Sequence, residues 1–297
     1  MPAGDGNLHV LLSRRRRLGA ELRRLREQAG LPGRQLAEQI GVSQSKISRI
    51  ESGATLPTIP EVTGWTAAVS ASEDVASRAV ALAEAAYTEV HPWDVAMRGH
   101  GHLQDDIQQI EARSRAVLVY EPTLVPGLLQ TAEYARRVVA MFEPAYAEPD
   151  IPGVTASRVD RQAALFDPAR EFGFLITEAA LRWRPGPPSL MLAQLDRIAS
   201  VATLGNVVIG VVPQSARALT HVPHGFVVIE PADPGADAFV LVETVHANLT
   251  VSDAGQVALY RAQWPLLEQM AVYGPDARDL LSGIAADVRA QPAEDGL

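Results

Sequence analysis

Residues 34–53 read RQLAEQIGVSQSKISRIESG, and this stretch determines how the N-terminal part of the chain folds. Apolar side chains recur every three or four residues on both sides of Gly41, which is the spacing of one helix face. Gly41 ends the first run because glycine adopts left-handed backbone at no steric cost, and Ser43 can cap the second run. The stretch therefore predicts two short helices, over 34–40 and 44–52, joined by a tight turn.

The sequence on either side of this pair predicts two further helices. Between Arg14 and Ala29 three leucines lie four and three residues apart, and Gly30 ends the pattern. Residues 58–69 place Ile59, Val62, Trp65 and Val69 on one face. We therefore expect an all-α N-terminal domain over residues 14–70.

The second short helix has a polar outer face over an apolar inner one, where Ile47 and Ile50 anchor it. Such a helix fits the major groove of B-DNA, where glutamine can read adenine and arginine can read guanine with two hydrogen bonds each. The expected base contacts are Gln44, Ser45, Ser48 and Arg49. The expected phosphate contacts, which would set the register, are Gln35, Ser43 and Lys46.

The charge distribution separates a DNA-binding domain from a merely structural helical bundle. The chain has a net charge of -9, yet residues 1–70 hold ten basic and six acidic residues, a net charge of +4. Residues 71–297 hold 16 basic and 29 acidic residues, a net charge of -13. DNA would attract the first part and repel the second, which favours DNA binding by the N-terminal domain.

Several short motifs over residues 14–70 resemble the Cro/phage-repressor (Xre-type) helix-turn-helix family. The motifs are Gln35-Leu36-Ala37, Gly41-Val42-Ser43-Gln44, Ile47-Ser48, Ile50-Glu51, Gly53 and Pro57. The resemblance implies that Gln44, Ser45 and Arg49, with Ser48, face the bases, and that Glu51 has a structural role.

Length and composition set the remaining limits. The 297 residues favour two domains, and 47% of them are hydrophobic, which is ordinary for a globular chain. The absence of cysteine excludes disulfides, thiol nucleophiles and cysteine-ligated zinc, and fits a reducing compartment. No apolar run is long enough to span a bilayer, and no apolar core follows the basic cluster Arg14–Arg17 as in a signal peptide. We therefore expect a cytoplasmic protein.

The rest of the chain predicts a connecting segment and a mixed domain. Residues 72–90 are Ala-rich and indicate a helix, and 91–101 indicate a linker, so the connection spans 71–102. The expected strands are 116–120, 172–177, 207–212, 225–229 and 238–246. The expected helices are 103–113, 131–141, 155–166, 189–202, 254–271 and 276–290. Strands mixed with helices predict an α+β (mixed α/β) C-terminal domain over 103–290.

A second signature, VYEPTLVPGLLQTAEYARR over residues 119–137, lies in this domain. This signature resembles the conserved C-terminal domain of unknown function that follows Xre-type heads in many actinobacterial regulators. Three further stretches share the resemblance, namely RVDRQ at 158–162, EAALR at 178–182 and VHANLTVSD at 245–253. The resemblance covers about residues 105–275. It implies control by a small partner protein encoded nearby, in toxin–antitoxin-like arrangements.

Two alternatives remain open for the polar residues of the C-terminal domain. Pro126, Gly127 and the cap Thr131 form either a packing motif or one wall of a ligand pocket or partner groove. Arg158, Arg161, Glu178 and Glu243 either line such a site or form internal ion pairs. The run Arg14–Arg17 is either a solvated face or a source of additional phosphate contacts.

Enzyme motifs are absent from the sequence. No phosphate-binding GxxxxGK[ST], GxGxxG, HExxH or GxSxG pattern occurs. The pairs His100/His102 and His221/His224 could offer metal ligands, but both lie in predicted loops, so we expect no metal and no cofactor.

These observations predict a transcriptional regulator, not an enzyme. We expect a homodimer whose two recognition helices enter successive major grooves about 34 Å apart, with double-stranded DNA as the main partner. A small protein or a small-molecule effector would act on the C-terminal domain, and no membrane is involved. The alternatives are an antitoxin-like interaction protein and an enzyme or toxin with an autoregulatory DNA-binding domain.

Overall fold

The computed structural model describes residues 13–93, 102–142 and 150–290. Five helices form the first part of the chain, which we call the head (residues 13–87). They are α1 (Ser13–Gln28), α2 (Gly33–Ile40), α3 (Gln44–Ser52), α4 (Ile59–Ala68) and α5 (Glu73–Tyr87). The rest of the described chain, which we call the body, contains a seven-stranded sheet with helices on both faces. The predicted combination of an all-α N-terminal part and an α+β C-terminal part is confirmed.

The helix pair α2–α3 has the predicted turn and cap. Gly41 ends α2 with a positive φ of 72°, and Gly53 ends α3 with a φ of 75°. The Ser43 side chain accepts a hydrogen bond from the backbone N–H of Lys46 at 3.1 Å, which satisfies one free donor at the start of α3. The turn and the helix bounds of α3 therefore follow from local sequence signals.

A buried tryptophan holds the head together. Trp65 of α4 is fully buried, and its indole Nε1 donates to the carbonyl oxygen of Leu22 in α1 at 3.1 Å. Gly19 brings α1 against the end of α3, because a Cβ there would collide with the carbonyl oxygen of Ile50. The head therefore depends on close backbone approach as well as on side-chain packing.

The helix α5 belongs to the core of the head, although the sequence assigned it to the connection. Ala79, Ala83 and Ala86 are buried and pack in the same cluster as Trp65. The predicted end of this helix at residue 90 is wrong, since α5 ends at Tyr87 and the chain continues as a strand.

That strand, β1 (Thr88–Pro92), includes the first two residues of the predicted linker over 91–101. The linker prediction is therefore wrong for these two residues. His91 and Pro92 pair with strand β7 (Ala247–Val251), and Trp93 is buried. The pairing is long-range in sequence, which is why local patterns did not reveal it. Residues 94–101, the rest of the predicted linker and His100 with them, lie outside the described residues.

The other strands are β2 (Ser114–Glu121), β3 (Glu171–Thr177), β4 (Val207–Val212), β5 (Phe226–Pro231) and β6 (Phe239–Glu243). The sheet order is β1-β7-β6-β5-β2-β3-β4. The pairs β2–β3 and β3–β4 are parallel, and the other neighbours are antiparallel. A parallel half and an antiparallel half therefore meet at β2.

The helices of the body lie on both faces of the sheet. They are α6 (His102–Ala112), α7 (Ala132–Ala140), α8 (Ile151–Asp160), α9 (Glu178–Arg182), α10 (Pro188–Val201), α11 (Ala254–Met270) and α12 (Gly274–Ala290). The main core joins α6, α7, α10 and α12 to one sheet face, and a second core joins α11 to the other. Among the described residues, the helices are too short or too polar to cross a membrane.

Two further elements differ from the expected ones. The predicted strand 238–246 ends early, at Glu243, because Thr244 makes a turn in which its hydroxyl donates to the carbonyl oxygen of Ala247 at 2.8 Å; β7, which was not predicted, starts after this turn. The helix α9 was not predicted. It is too short to show helical periodicity, and it is defined by its cap, where the Thr177 hydroxyl accepts from the N–H of Ala180 at 3.1 Å.

We expect Gly19→Ala to lower the free energy of unfolding by about 1–3 kcal/mol, because the new methyl group would force α1 away from the end of α3. Gly283→Ala is the matched control, since Gly283 is exposed on α12 with open space around it. That change should stabilise by about 0.5–1 kcal/mol, the usual helix preference for alanine. Urea unfolding measures both, and equal effects would contradict the close approach of α1 to α3.

Candidate nucleic-acid interface and its junction with the body

The outer face of α3 presents the predicted base contacts to solvent. Gln44, Ser45 and Ser48 are exposed, whereas Ile47 and Ile50 are 2% and 1% exposed. Residues 44, 45, 48 and 49 lie on one face because neighbours on a helix surface are three or four positions apart. The predicted phosphate contacts Gln35 and Ser43 are also exposed. The structure thus brings the exposed members of both groups to the α2–α3 surface of the head.

Lys46 is engaged inside the head. Its Nζ lies 2.5 Å from the Oε1 of Glu61 at the start of α4. Burial favours the neutral form of Glu61, but the hydrogen bonds from Lys46 and Thr58 outweigh it and hold the pKa of this carboxyl below its usual value. A phosphate contact by Lys46 would therefore compete with an existing ion pair.

Arg49 lies between α3 and the body. Its Nη1 donates to the Ser45 hydroxyl at 2.8 Å, and its Nε is buried with no hydrogen-bond partner among the described residues. The guanidinium packs over Gly235, where a Cβ would lie 2.5 Å from Nη1. Gly235 belongs to the β5–β6 loop, by which we mean residues 232–238. The predicted guanine reader is therefore in contact with the acidic body.

The same loop holds the backbone that follows α3. The Asp237 carboxylate accepts from the N–H of Leu56 at 2.8 Å, and the Asp237 N–H donates to the carbonyl oxygen of Ala54 at 3.1 Å. The Thr55 hydroxyl donates to the carbonyl oxygen of Gly235 at 2.9 Å. Three hydrogen bonds therefore fix the end of the helix-turn-helix unit to the β5–β6 loop.

Arg15 completes this junction and fits neither alternative offered for the run Arg14–Arg17, a solvated face or a source of phosphate contacts. Arg14 and Arg17 are exposed, but Arg15 is only 2% exposed. Its Nη2 donates to the carbonyl oxygen of Ala54 at 3.0 Å and lies 3.5 Å from the Oδ2 of Asp237. Burial lowers the pKa of this guanidinium, and the nearby carboxylates oppose that shift.

A second carboxylate ties the start of α1 to strand β1. Glu89 is fully buried, and it accepts the backbone N–H groups of Arg14 at 3.0 Å and Arg15 at 3.2 Å. These N–H groups have no partner within the helix, and a negative charge at a helix N-terminus is favourable. The head is therefore attached to the body by β1, by Glu89 and by the β5–β6 loop.

The body contains an open cavity of about 470 Å³ on the sheet face that carries the main core. Three of the four charged residues that the sequence singled out line it, namely Arg158, Arg161 and Glu243. Arg161 is also ion-paired, with its Nη2 2.6 Å from the Oε1 of Glu111. Both sequence alternatives therefore hold for this arginine, which forms an internal pair at the cavity wall.

Glu178, the fourth of these residues, does not line the cavity. Its carboxylate accepts from the N–H of Gln214 at 2.9 Å and from Arg182 Nε at 2.7 Å. The hydrogen bond from Gln214 is the main reason that the pKa of Glu178 lies below its usual value. For this residue the ion-pair interpretation is confirmed.

The segment 126–131 is both a packing motif and a cavity wall. Leu129 is fully buried, and Thr131 caps α7 by accepting from the N–H of Tyr134 at 3.3 Å. Pro126, Gly127 and Leu128 line the cavity. The sequence offered these functions as alternatives, whereas the structure combines them.

The acidic residue Glu121 at the end of β2 also lines the cavity and was missed by the sequence analysis. Burial raises the pKa of Glu121 to about 8, the carboxylate of Glu243 adds to the shift, and Arg158 opposes it. A lone acidic residue at the end of a strand gives no sequence signal of burial. Only the strand order brings Glu121 and Glu243 to one site.

The remaining candidate metal ligands do not form a site among the described residues. His221 and His224 lie in the loop between β4 and β5, as predicted. Within residues 13–93, 102–142 and 150–290, no group of three or more histidine, aspartate or glutamate side chains could hold a metal ion.

Comparison with known families divides the chain at the same place as the structure. A model described as a helix-turn-helix domain matches residues 17–79, from α1 into α5. A second, described as a domain of unknown function (DUF5753), matches residues 104–283. The chain belongs to the DUF5753 family. The DUF5753 domain contains most of the sheet and most of the cavity wall, whereas Trp93 precedes it. No curated protein matches the chain.

We expect Glu121→Gln to raise the free energy of unfolding above pH 8 by roughly 3–5 kcal/mol. The folded pKa of Glu121 is raised, so its favourable contribution is present at low pH and is lost as pH rises towards 8. At pH 5 the two proteins should have similar stabilities. Urea unfolding at both pH values measures the difference.

Glu171→Gln is the control for this prediction, because the Glu171 side chain is 73% exposed. It should change stability by less than about 0.5 kcal/mol at either pH. A Glu121→Gln variant that is no more stable than the parent at high pH would show that Glu121 is not held in a protonated form.

Proposed function

We propose that this chain is a sequence-specific transcriptional regulator that reads DNA with α3 and is controlled through its DUF5753 domain. The helix-turn-helix match points to DNA binding and to transcription regulation. The observation that supports sequence-specific readout is the exposed polar face of α3, with Gln44, Ser45 and Ser48 over a buried apolar anchor. Glutamine and serine can form hydrogen bonds with base edges in the major groove.

The proposal includes a homodimer on a two-fold symmetric site. One recognition helix contacts only a few base pairs, and a dimer doubles the contacts by placing two helices about 34 Å apart. The sequence resemblance to Xre-type actinobacterial regulators supports this arrangement. The proposal assigns no catalytic activity to the chain.

The proposal that the body controls DNA binding is based on the junction between the head and the body. Arg49 contacts the β5–β6 loop, and Ala54, Thr55 and Leu56 bond to it. Strands β5 and β6 both contribute to the cavity wall. The chain would have two arrangements, one with Arg49 held by the loop and one with Arg49 released. A molecule that binds in or against the body changes DNA affinity if it binds one of these arrangements more tightly than the other.

Two kinds of signal fit this scheme. A small partner protein encoded nearby is supported by the resemblance to toxin–antitoxin-like regulators, and in that version neutralising the partner could be the chain's main role. A small-molecule effector is supported by the cavity of about 470 Å³, which is in the size range of small-molecule sites.

We expect Gln44→Ala to weaken binding to a specific duplex by about 1–3 kcal/mol and to relax the preference at one base pair. The duplex is first selected from a random pool by the full chain, and fluorescence anisotropy then gives the affinities. Arg261→Ala is the control, because Arg261 lies on α11 and pairs with Glu230 on the body surface. If the two variants bind with equal affinity and specificity, α3 is not the reading helix.

We expect Gly235→Ala to increase DNA affinity about three- to tenfold, because the added methyl group would displace Arg49 from the loop without changing any charge. Gly205→Ala is the control, since Gly205 has open space around it and does not line the junction. In the background Arg49→Ala, the effect of Gly235→Ala should disappear, since no guanidinium remains to be released. An unchanged or reduced affinity in Gly235→Ala would mean that the junction does not restrain Arg49.

A further inference from the structure

A row of polar residues crosses the sheet at one edge of the cavity. Glu243 of β6 is directly opposite Asn248 of β7, and Asn248 is directly opposite His91 of β1. On the other side, Gly225 next to β5 lies against Glu121 of β2. Residues opposite each other on neighbouring strands point to the same sheet face. Glu121, Glu243 and Asn248 therefore face the cavity together, and all three line it.

Gly225 makes this row possible. A Cβ at this position would lie 2.8 Å from the Oε2 of Glu121 and 3.0 Å from its Cδ. Since glycine has no side chain, the Glu121 carboxyl occupies the space above it, on the side of Glu243. The two carboxyl groups interact electrostatically as a result.

The described residues that line the cavity carry more acidic than basic groups. They include three carboxyl groups, on Glu111, Glu121 and Glu243, and two guanidinium groups, on Arg158 and Arg161. Glu111 and Arg161 are paired through two hydrogen bonds of 2.6 and 3.1 Å. Arg158 therefore faces two carboxyl groups, and one negative charge is in excess when both are ionised.

Asn248 adds a further hydrogen-bond acceptor to this edge of the cavity. Its side chain is 1% exposed, and its Oδ1 is buried with no hydrogen-bond partner among the described residues. Leaving a buried polar atom unbonded is unfavourable, so such an atom points to a missing donor. The row thus offers two carboxyl groups and an amide oxygen, all of them able to accept.

The rest of the cavity wall is apolar. Trp93, Leu128, Met141, Phe142 and Phe174 contribute to it. Aromatic rings near a cation attract it through their negative faces, and large apolar walls bury the hydrocarbon part of a ligand. The site therefore has an acidic, acceptor-rich edge and an aromatic interior.

We propose that this cavity binds an organic cation, whose ammonium group donates to Glu121, Glu243 and Asn248 while its apolar part fills the aromatic interior. An ammonium group carries three N–H donors and one positive charge, which matches the three acceptors and the excess charge. A carboxylate ligand would instead add to the negative charge of the row.

This ligand class deepens the proposed small-molecule control, and its regulatory consequence rests on the proposed function. The row continues from Asn248 to His91, and His91 Nε2 lies 3.8 Å from Glu89 Oε2. Glu89 holds the start of α1, next to Arg15 and the β5–β6 loop. Neighbouring buried polar residues thus lead from the cavity edge to the junction.

Binding of a cation is linked to the proton on Glu121. The groups that act on Glu121 are Glu243 from β6, Arg158 from α8 and Tyr134 from α7, with Glu111 and Arg161 further along the cavity wall. Glu121 carries a proton at pH 7 in the empty cavity, because its pKa is about 8. An ammonium group replaces that proton, so affinity for the cation should rise up to about tenfold per pH unit between pH 6 and 8.

Matched compounds that differ only in charge test the proposal. Isothermal titration of the full chain would use phenethylammonium, phenethyl alcohol and phenylacetate, and then tryptammonium, tryptophol and indoleacetate. We expect at least one ammonium compound to bind about tenfold or more tightly than its alcohol, with the carboxylate weakest. Titration in two buffers of different protonation enthalpy should show proton release at pH 7.

Variants locate the binding site. Glu121→Gln should abolish both the preference for the ammonium compound and the proton release, whereas Glu171→Gln at the exposed start of β3 should change neither. Asn248→Leu should weaken binding of the ammonium compound more than binding of the alcohol. The proposal is overturned if both carboxylates bind more tightly than the amines, if charge has no effect, or if neither ammonium compound binds.

The DNA affinity of the ligand-bound chain separates this proposal from the proposed function. An ammonium compound that binds and alters DNA affinity supports both. If it binds with the expected charge preference and leaves DNA affinity unchanged, the cation site stands and small-molecule control fails. Failure of DNA binding in the ligand-free chain counts against the proposed function alone.

Discussion

The buried guanidinium of Arg15 is the contact on which the arrangement of head and body depends. A charge taken out of water must be paired and hydrogen-bonded, or its burial costs several kcal/mol. Arg15 donates to Ala54 within the head, but its ion-pair partner Asp237 belongs to the body. Opening the junction would therefore take away the carboxylate that Arg15 faces.

Two continuous connections join the head and the body. The helix α5 of the head runs directly into β1 at the edge of the sheet, so movement of one moves the other. The β5–β6 loop contacts Arg49, while its two strands line the cavity. Both connections end in the head. The head and the body are thus joined by a strand and by buried polar contacts.

The sequence predicted the features that depend on local signals. Gly41, Ser43 and Gly53 define α3 because caps and left-handed turns are set by neighbouring residues, and the family resemblance added the exposed contacts. The sequence could not predict β1 or the Arg15–Asp237 pair, since these depend on residues more than 150 positions away. Glu121 and Asn248 look ordinary in sequence, and only the strand order places both at the cavity.

The central claim is that α3 reads DNA and that Arg49 leaves the body when it does so. Hydrogen–deuterium exchange of the full chain, with and without its selected duplex, tests this directly. The account predicts slower exchange over residues 44–52 in the complex, and faster exchange at the amides of Leu56 and Asp237, whose hydrogen bonds cross the junction. Unchanged exchange over 44–52, with protection elsewhere on the chain, would contradict it.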